Sequence, residues 1–436
     1  NILGVSVLDY FDLYKKFTYV RQESYRLNYI AKVELGESKL DNPYETFKDF
    51  YTKDYQKFVE YNIQDVELVD KLEDKMKLIE LCLTMAYEAK VNYTDVYSQV
   101  RCWDTIIYNH LLKKNIIIPP REDHDKDTQY EGAYVKDPQL GLHNWIVSFD
   151  LNSLYPHLIM QYNLSPETLV GVQPKNMGVE NYLNEKFNLQ WARDKNVTVA
   201  PNGSMYRRDK QGFLPELMEK MYGDRVVFKK KTIEAKKEFQ KTKDPIYKNE
   251  ISRCNNIQMA KKIALNSAYG AIGNQYFRYF DVRIAEAITL GGQLSIRWVE
   301  RDVNKFMNKL LNTDNVNYVV ASDTDSIYLK LDKLVEKVCK DKSPQQITDF
   351  INKAAEDKIQ KVIDDSFNNL AKYVNAYQQK MIMKREAIAN KAIWVAKKRY
   401  MMNVFDEEGI RFDIPKLKIM GVEAVKSSTP EVCRGK

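Results

Sequence analysis

The segment Tyr318-Val-Val-Ala-Ser-Asp-Thr-Asp-Ser-Ile-Tyr-Leu-Lys330 sets Asp323 and Asp325 at a polar tip between two β-rich arms. Such a pattern predicts a hairpin, and carboxylates at i and i+2 of a strand point to one side. Negative charge so concentrated is costly unless a cation is near. An isolated Asp-x-Asp more often decorates a surface turn, so a second acidic segment carries weight. In Val147-Ser-Phe-Asp-Leu-Asn-Ser-Leu-Tyr-Pro156 an apolar strand ends on Asp150, and the regular pattern stops at Pro156. An acid at the end of a buried strand needs a partner; a divalent ion shared with Asp325 would be one. Two Mg²⁺ ions held by such carboxylates can activate a hydroxyl nucleophile and orient a leaving pyrophosphate.

A third segment supplies cations. In Lys262-Ile-Ala-Leu-Asn-Ser-Ala-Tyr-Gly270, Lys262, Asn266 and Tyr269 stand at i, i+4 and i+7, one face of a helix. An ammonium, an amide and a phenol ring on one face suit a triphosphate at one end and a stacked base at the other. Arg225 and Lys229, again i and i+4, would add two cations. They belong to a basic run from Arg225 to Lys262 that includes Lys230, Lys231, Lys236, Lys237, Lys241, Lys248, Arg253 and Lys261. That run fits phosphate binding; a solvated helix face is the plainer reading of charge alone. Asn266 and Gly270 are poor choices for such a face.

The elements that must position these residues are legible in outline. Strand and turn pieces are expected to about residue 40, through Val5, Val7, Leu8 and the Tyr10–Tyr14 run. Apolar residues at helical spacing follow from about 44 to 115, among them Val66, Val69, Leu72, Met76, Ile79 and Leu83. Pro119-Pro120 and the polar stretch Arg121–Gln129 read as a linker. Strands are expected at Ala133–Val135 and Trp145–Asp150. Helices are expected from 215 to 241 and 247 to 269, split by Asp244-Pro245 into an antiparallel hairpin. A helix over 282–310, strands near 316–320 and 327–331, helices over 344–380 and strands near 394–404 complete the pattern. No internal repeat stands out.

The 436 residues suffice for two or three domains. A negative mean hydropathy and the lack of a ~20-residue apolar run argue against a membrane span. Cys82, Cys102, Cys254, Cys339 and Cys433 are dispersed, which fits reduced thiols in a cytoplasmic setting rather than a disulfide framework. His110, His124, His143 and His157 show no zinc-ligand spacing, so a metal site would be built from carboxylates.

These motifs, in this order, resemble motifs A, B and C of the family B DNA polymerases: Asp150-x-x-Ser-Leu-Tyr-Pro, Lys262-x-x-x-Asn-Ser-x-Tyr-Gly and Asp323-Thr-Asp-Ser. Tyr130-Glu-Gly132-Ala133 resembles the family's linker between exonuclease and polymerase modules, and Lys397-Lys398-Arg399-Tyr400 its primer-contacting motif. Leu164-Ser-Pro-Glu-Thr168, Glu386 in Arg-Glu-Ala-Ile, Leu417-Lys-Ile-Met-Gly421 and Ser427-Ser-Thr-Pro430 are similar to the T-even-type phage replicative enzymes. The resemblance covers nearly the whole chain. His157 and Met160 depart from it, standing where phage relatives usually carry Ser and a basic residue. A short span from Pro215 to Lys262 implies short fingers.

The resemblance implies an α+β fold: a right-hand polymerase palm with an antiparallel sheet, two-helix fingers and a partial RNase H-like exonuclease remnant. It divides the chain into the C-terminal part of an exonuclease domain (1–70), a helical connector (71–129), palm (130–212 and 273–415), fingers (213–272) and the start of a thumb (416–436). It implies that Asp150 and Asp325 hold two Mg²⁺ ions with the Leu151 main chain, and that Asp323 assists. It further implies that Arg225, Lys229, Lys262 and Asn266 grip the incoming triphosphate, with Ser153 and Leu154 lining its site. Tyr155 would gate out ribonucleotides, and Tyr269 would pack on the nascent base pair. Lys397, Lys398, Arg399, Tyr400, Tyr130 and Gly132 would contact DNA. The implied substrates are primer–template DNA and deoxynucleoside triphosphates.

Tyr61-Asn-Ile-Gln-Asp65 resembles the third motif of the family's 3′–5′ exonuclease, in which Asp65 would hold a metal and Tyr61 orient a water. The first two exonuclease motifs belong N-terminal to this point. The opening, without Met and inside a strand-like run, suggests a segment of something longer, and the thumb is expected to be cut short. A sliding clamp or a complementary polypeptide with the missing domains then joins the expected partners, in a host cytoplasm. The alternative is an inactive primer–template-binding fragment.

Overall fold

The computed structural model describes residues 3–18, 21–122, 130–173, 177–426, 428–429 and 431–434. Most of the expected linker at 121–129, and Ser427 and Pro430 of the last motif, lie outside the described residues. The chain divides into two compact units, one of residues 1–113, 223–264 and 427–430, the other of 114–222, 265–426 and 431–436.

The first unit opens with helices α1 (Tyr10–Phe17), α2 (Leu27–Leu35), α3 (Phe47–Lys53), α4 (Tyr55–Met76), α5 (Leu78–Ala89) and α6 (Gln99–Leu112). Of the strand pieces expected before residue 40, residues 5–8 take no regular structure and 10–14 open helix α1; no strand occurs among the described residues of this stretch. The reason is local. The Asp9 carboxylate accepts a bond from the Phe11 N–H at 2.9 Å and caps α1. Leu13, Tyr14 and Phe17 then fall on one helical face and are buried with Leu72, Leu81 and Cys82. Side chains of Thr46, Asp54 and Ser98 cap α3, α4 and α6 in the same way.

In the second unit β1 (Gly141–Leu151) leads into α7 (Leu154–Tyr162), β2 (Leu169–Val172), α8 (Val179–Leu183), α9 (Gln190–Asp194), β3 (Val197–Val199) and β4 (Ser204–Arg207). Helices α10 (Phe213–Thr242) and α11 (Ile246–Ile272) follow, matching the expected pair closely. Within the first unit their facing residues run in opposite order. Lys248 Nζ lies 5.6 Å from the Phe239 ring, and Lys261 Nζ 3.2 Å from the Asp224 carboxylate. Those pairs define the antiparallel hairpin. Its turn is made by Lys243 in the left-handed region and by Asp244, whose side chain accepts the Ile246 N–H at 2.9 Å.

The rest of the second unit comprises α12 (Val282–Leu311), β5 (Val319–Asp323), β6 (Ser326–Lys330), α13 (Asp332–Val338), α14 (Pro344–Ala354), α15 (Gln360–Tyr373), β7 (Met383–Ala396), β8 (Arg399–Glu407) and β9 (Ile410–Met420). Six strands form one antiparallel sheet in the order β5-β6-β1-β7-β8-β9, and β2-β4-β3 form a smaller one. On the large sheet Ile146, Val320, Tyr328, Ala389, Trp394, Tyr400 and Met402 share a buried cluster. Helix α12 packs with α7 and α15. Its Gly291 and Gly292 admit Leu158 and Leu154 so closely that an added Cβ would stand 3.3–3.4 Å from their methyl groups.

Two expectations shift here. Residues 133–135 form no strand; Val135 makes a single bridge to Asp323. The domain change expected at residue 416 falls inside β9, where Lys416 and Lys418 pair with Val404 and Met402. Among the described residues no helix is long and apolar enough to cross a membrane.

Asn304 of α12 ties helix to hairpin: its carbonyl oxygen accepts the N–H groups of Tyr318 at 2.8 Å and Val319 at 3.1 Å. Asn304→Ala leaves both buried donors unpaired, so urea unfolding should show a loss of about 1–3 kcal/mol. An unchanged midpoint would remove this tie from the account.

Candidate active site

Register brings the two aspartates together. Asp150 lies directly opposite Ser326 in the β1–β6 ladder, and the Leu151 N–H donates to the Asp325 carbonyl oxygen at 2.8 Å. Asp150 and Asp325 are therefore cross-strand neighbours, although 175 positions separate them in sequence (325 − 150). Both are half-buried. Burial pushes the Asp150 carboxyl up to about 7, and the charges of Asp325 and Glu386 add to the shift while Lys418 opposes it. Burial likewise raises Asp325 to about 6, aided by Asp323 and Glu386 and opposed by its own N–H and Lys398. Each carboxylate is held where ionisation is unfavourable, and a divalent cation would relieve that cost.

At the hairpin tip the two aspartates do not share one strand, contrary to the expectation from sequence. Thr324 takes a left-handed conformation (φ 53°), so Asp323 ends β5 and Asp325 precedes β6 across a turn. Asp323 engages Lys398, Nζ to Oδ1 at 3.3 Å, and accepts the Thr324 hydroxyl at 3.0 Å. Among the described residues no three His, Cys, Asp or Glu side chains gather into a metal cage. Mg²⁺ commonly binds through one or two carboxylates, with substrate phosphates and water completing its shell. The Asp150–Asp325 pair fits that mode.

Tyr155 adjoins the acids, and two more tyrosines are joined to it. Ser153, itself left-handed (φ 46°), turns the chain into α7, so Leu154 and Tyr155 stand in its first turn. The Tyr155 ring lies 4.6 Å from that of Tyr269, whose hydroxyl donates to the Tyr130 hydroxyl at 3.3 Å. Burial and then the Asp325 charge raise the Tyr155 phenol above its ordinary range. Gly273 leaves room for Tyr130: an added Cβ would stand 2.5 Å from its hydroxyl. Gln293 of α12 donates to the Gly132 carbonyl at 2.7 Å and fixes the same segment.

The Lys397–Tyr400 segment forms the tight turn between β7 and β8, with Lys398 left-handed (φ 60°). Lys397 pairs with Asp137 at 2.9 Å and Arg399 with Glu423 at 2.7 Å. Tyr400 is buried, its hydroxyl 2.9 Å from that of Tyr328. Its side chain is a core element before it can be anything else.

The remaining cations belong to the first unit: Arg225 and Lys229 on α10, Lys262 on α11. Asn266 and Tyr269 continue α11 in the second unit. Lys261 departs from the phosphate-binding run, because it is buried in ion pairs with Glu88 at 2.8 Å and Asp224 at 3.2 Å. Asp65 of α4 pairs with Lys39 at 2.6 Å, and that ammonium sits 4.7 Å from the Tyr61 ring.

One set of contacts among these motifs went unread in the sequence. Glu386 on β7 accepts the Ser148 hydroxyl at 3.0 Å and the Lys418 ammonium at 2.7 Å. Ser148 offered the only signal: a hydroxyl in an apolar strand, two residues before Asp150 and so on its face. Glu386 and Lys418 stood only in stretches that resemble the phage enzymes, and nothing local joined them, since each lies on a different strand.

An antiparallel sheet with paired aspartates where neighbouring strands meet and a tyrosine beside them, all within the second unit, is a polymerase-type arrangement. The sequence matches DNA polymerase family B over residues 91–432, and the chain belongs to that family. It is 36 % identical to the DNA-directed DNA polymerase of Escherichia phage RB69 over 99 % of this chain and 53 % of that protein. The DNA-directed DNA polymerase of Enterobacteria phage T4 is 35 % identical over the same shares. The DNA polymerase delta catalytic subunit of Candida albicans is 27 % identical over 76 % of this chain and 30 % of that one. The chain thus spans about half the length of its phage relatives.

The raised carboxyls have a thermodynamic signature. A folded pKa above the unfolded value means the native state binds more protons between the two, so stability falls as pH rises through about 4 to 7. With divalent ions chelated at pH 8, Asp150→Asn should stabilise the fold by about 1 kcal/mol or more, about 2–4 °C in Tm. The gain should vanish at pH 4. A variant that melts at or below the parent at pH 8 would contradict this account of Asp150.

Proposed function

We propose that this chain forms the palm and fingers of a template-directed DNA polymerase that adds deoxynucleotides to a primer 3′-hydroxyl. The observation that carries the reading is the cross-strand pair Asp150–Asp325, half-buried, with raised pKa values and with Tyr155 beside it. Family membership and the likeness to two phage DNA-directed DNA polymerases support it. Bound Mg²⁺ would supply Lewis acidity toward the primer hydroxyl and the triphosphate. Two ions are proposed, held by Asp150 and Asp325 with the Leu151 main chain.

In this reading Arg225, Lys229, Lys262 and Asn266 hold the triphosphate by charge-assisted hydrogen bonds. The Tyr155 ring fills the space a ribose 2′-hydroxyl would need, and Tyr269 supports the nascent base pair. Lys397, Lys398 and Arg399 meet primer phosphates, while buried Tyr400 shapes their turn. Residues 130–212 and 273–415 act as palm, 213–272 as fingers, 1–70 as part of an exonuclease domain, 71–129 as connector and 416 onward as the approach to a thumb. Asp65, neutralised by Lys39, is assigned no hydrolysis of its own. Further partners would be a sliding clamp or a polypeptide carrying the remaining domains, in the cytoplasm of a phage host.

Extension of a labelled primer on a DNA template tests the reading. Asp325→Asn should lower the extension rate by at least about a thousandfold, because the surviving acid holds the cation poorly. Undiminished extension by that variant would end the assignment, and binding without extension by the parent would leave a binding-only chain.

Tyr155→Ala probes the gate separately. It should raise ribonucleotide use relative to deoxynucleotide use by about a hundredfold. An unchanged ratio in single-turnover incorporation would free Tyr155 from that role.

A further inference from the structure

Next to the aspartate pair lies a second charged group to which the sequence motifs gave no role. Glu386, on the strand next to that of Asp150, is held from two sides: the Ser148 hydroxyl at 3.0 Å on Oε2 and the Lys418 ammonium at 2.7 Å on Oε1. The same Ser148 oxygen accepts the Ala387 N–H at 3.0 Å, so the carboxylate has little freedom to turn away. Arg385, next to Glu386, stands opposite Phe149, and the Ser148 that Glu386 holds is two residues from Asp150 on the same strand, so the negative charge of Glu386 lies close to the pair. Lys418 works in the opposite sense at Asp150 and is itself held protonated by Glu386 against the effect of burial.

The charges around the pair form a short inventory. Asp150, Asp325, Asp323, Glu386 and Glu408 are negative. Lys418 and Lys398 are positive, Lys398 being engaged with Asp323. Lys384 stands opposite Asp150 in the β1–β7 ladder but is exposed. Lys418 is the partly buried cation of this set that holds Glu386. Deleting it would leave a fixed carboxylate uncompensated in a site of low effective dielectric, where charge acts over several ångströms.

We infer that Lys418 is a positioning residue which, by neutralising Glu386, limits how tightly Asp150 and Asp325 hold a divalent cation. The inference rests on the polymerase reading and adds to it a residue outside the acid pair. Ion release matters in such a site, because a cation bound too tightly in the wrong state traps product as readily as substrate. The Ser148–Glu386–Lys418 group thus tunes the field rather than touching the reacting atoms.

Mn²⁺ is a direct probe, since its free-ion paramagnetic resonance signal falls on binding whether or not chemistry follows. The whole chain is titrated with Mn²⁺ in the presence of a dideoxy-terminated primer–template and the matching deoxynucleotide. Lys418→Met should tighten Mn²⁺ binding about fivefold and Glu386→Gln should weaken it by a similar factor, as for one charge a few ångströms away. The double variant should return to the parent value, and Lys418→Arg should match the parent. A role confined to holding β9 in place would lower the melting temperature of both single variants without moving Mn²⁺ affinity in opposite directions. If Lys418→Met fails to fold, Glu386→Gln alone still decides by its sign. Unchanged affinity in these variants, with Asp150→Asn binding poorly, overturns the role of Lys418 and leaves the polymerase reading standing. Unchanged affinity in Asp150→Asn as well overturns both.

Discussion

Two carboxylates forced together on neighbouring strands set the terms for much of the second unit. Backbone pairing brings their main chains together, with Asp150 opposite Ser326 and the Leu151 N–H on the Asp325 carbonyl, and the turn at Thr324 lies next to Asp325. Such a pairing is unfavourable for the acids and must be held by something indifferent to their charge. That something is the sheet, whose central strands bury Ile146, Val147, Phe149, Ile327 and Leu329 completely. Apolar burial of about 1.5–3 kcal/mol per such side chain outweighs the repulsion of one half-solvated acid pair. The site is strained electrostatically, while the frame that holds it is not.

The same contrast governs the neighbours. Glycines at 273, 291 and 292 lie where the tyrosines and α7 approach helices closely, and each removes a side chain that would push the site open. Two cations whose charge reaches the acids are pinned to other carboxylates: Lys398 to Asp323, Lys418 to Glu386. A free ammonium beside Asp150 or Asp325 would neutralise the pair from within and remove its affinity for an exchangeable ion. Pinning leaves the acids short of positive charge, which is the condition a metal site requires.

Local chemistry was legible in the sequence, and long-range pairing was not. The hairpin helices, the strand ending on Asp150 and the Asp-Thr-Asp tip could be read because each is written in one stretch of residues. The first 40 residues were misread because Val5, Val7 and Leu8 mimic alternation, whereas the Asp9 cap and the Leu13, Tyr14, Phe17 spacing decide for helix. The turn that sets Asp323 at the end of β5 and Asp325 before β6 was not read because the left-handed Thr324 has no marker such as glycine. Ser148, Glu386 and Lys418 come from three strands, and only register joins them.

Lys261 and Lys262 show why composition undersells such a site. Adjacent on α11, they differ by about 100° around the helix axis, and that rotation decides their fates. Lys261 turns toward Glu88 and Asp224 and is buried as a structural ion pair. Lys262 is on the face that carries Asn266 and Tyr269 further along the helix. A buried lysine survives only with partners close at hand, so the two acids that hold Lys261 also fix the rotation of α11 about its axis. Within the first unit the basic run is therefore not uniform: Lys261 builds the hairpin, and Lys262, about 100° around the helix, is turned to a different face.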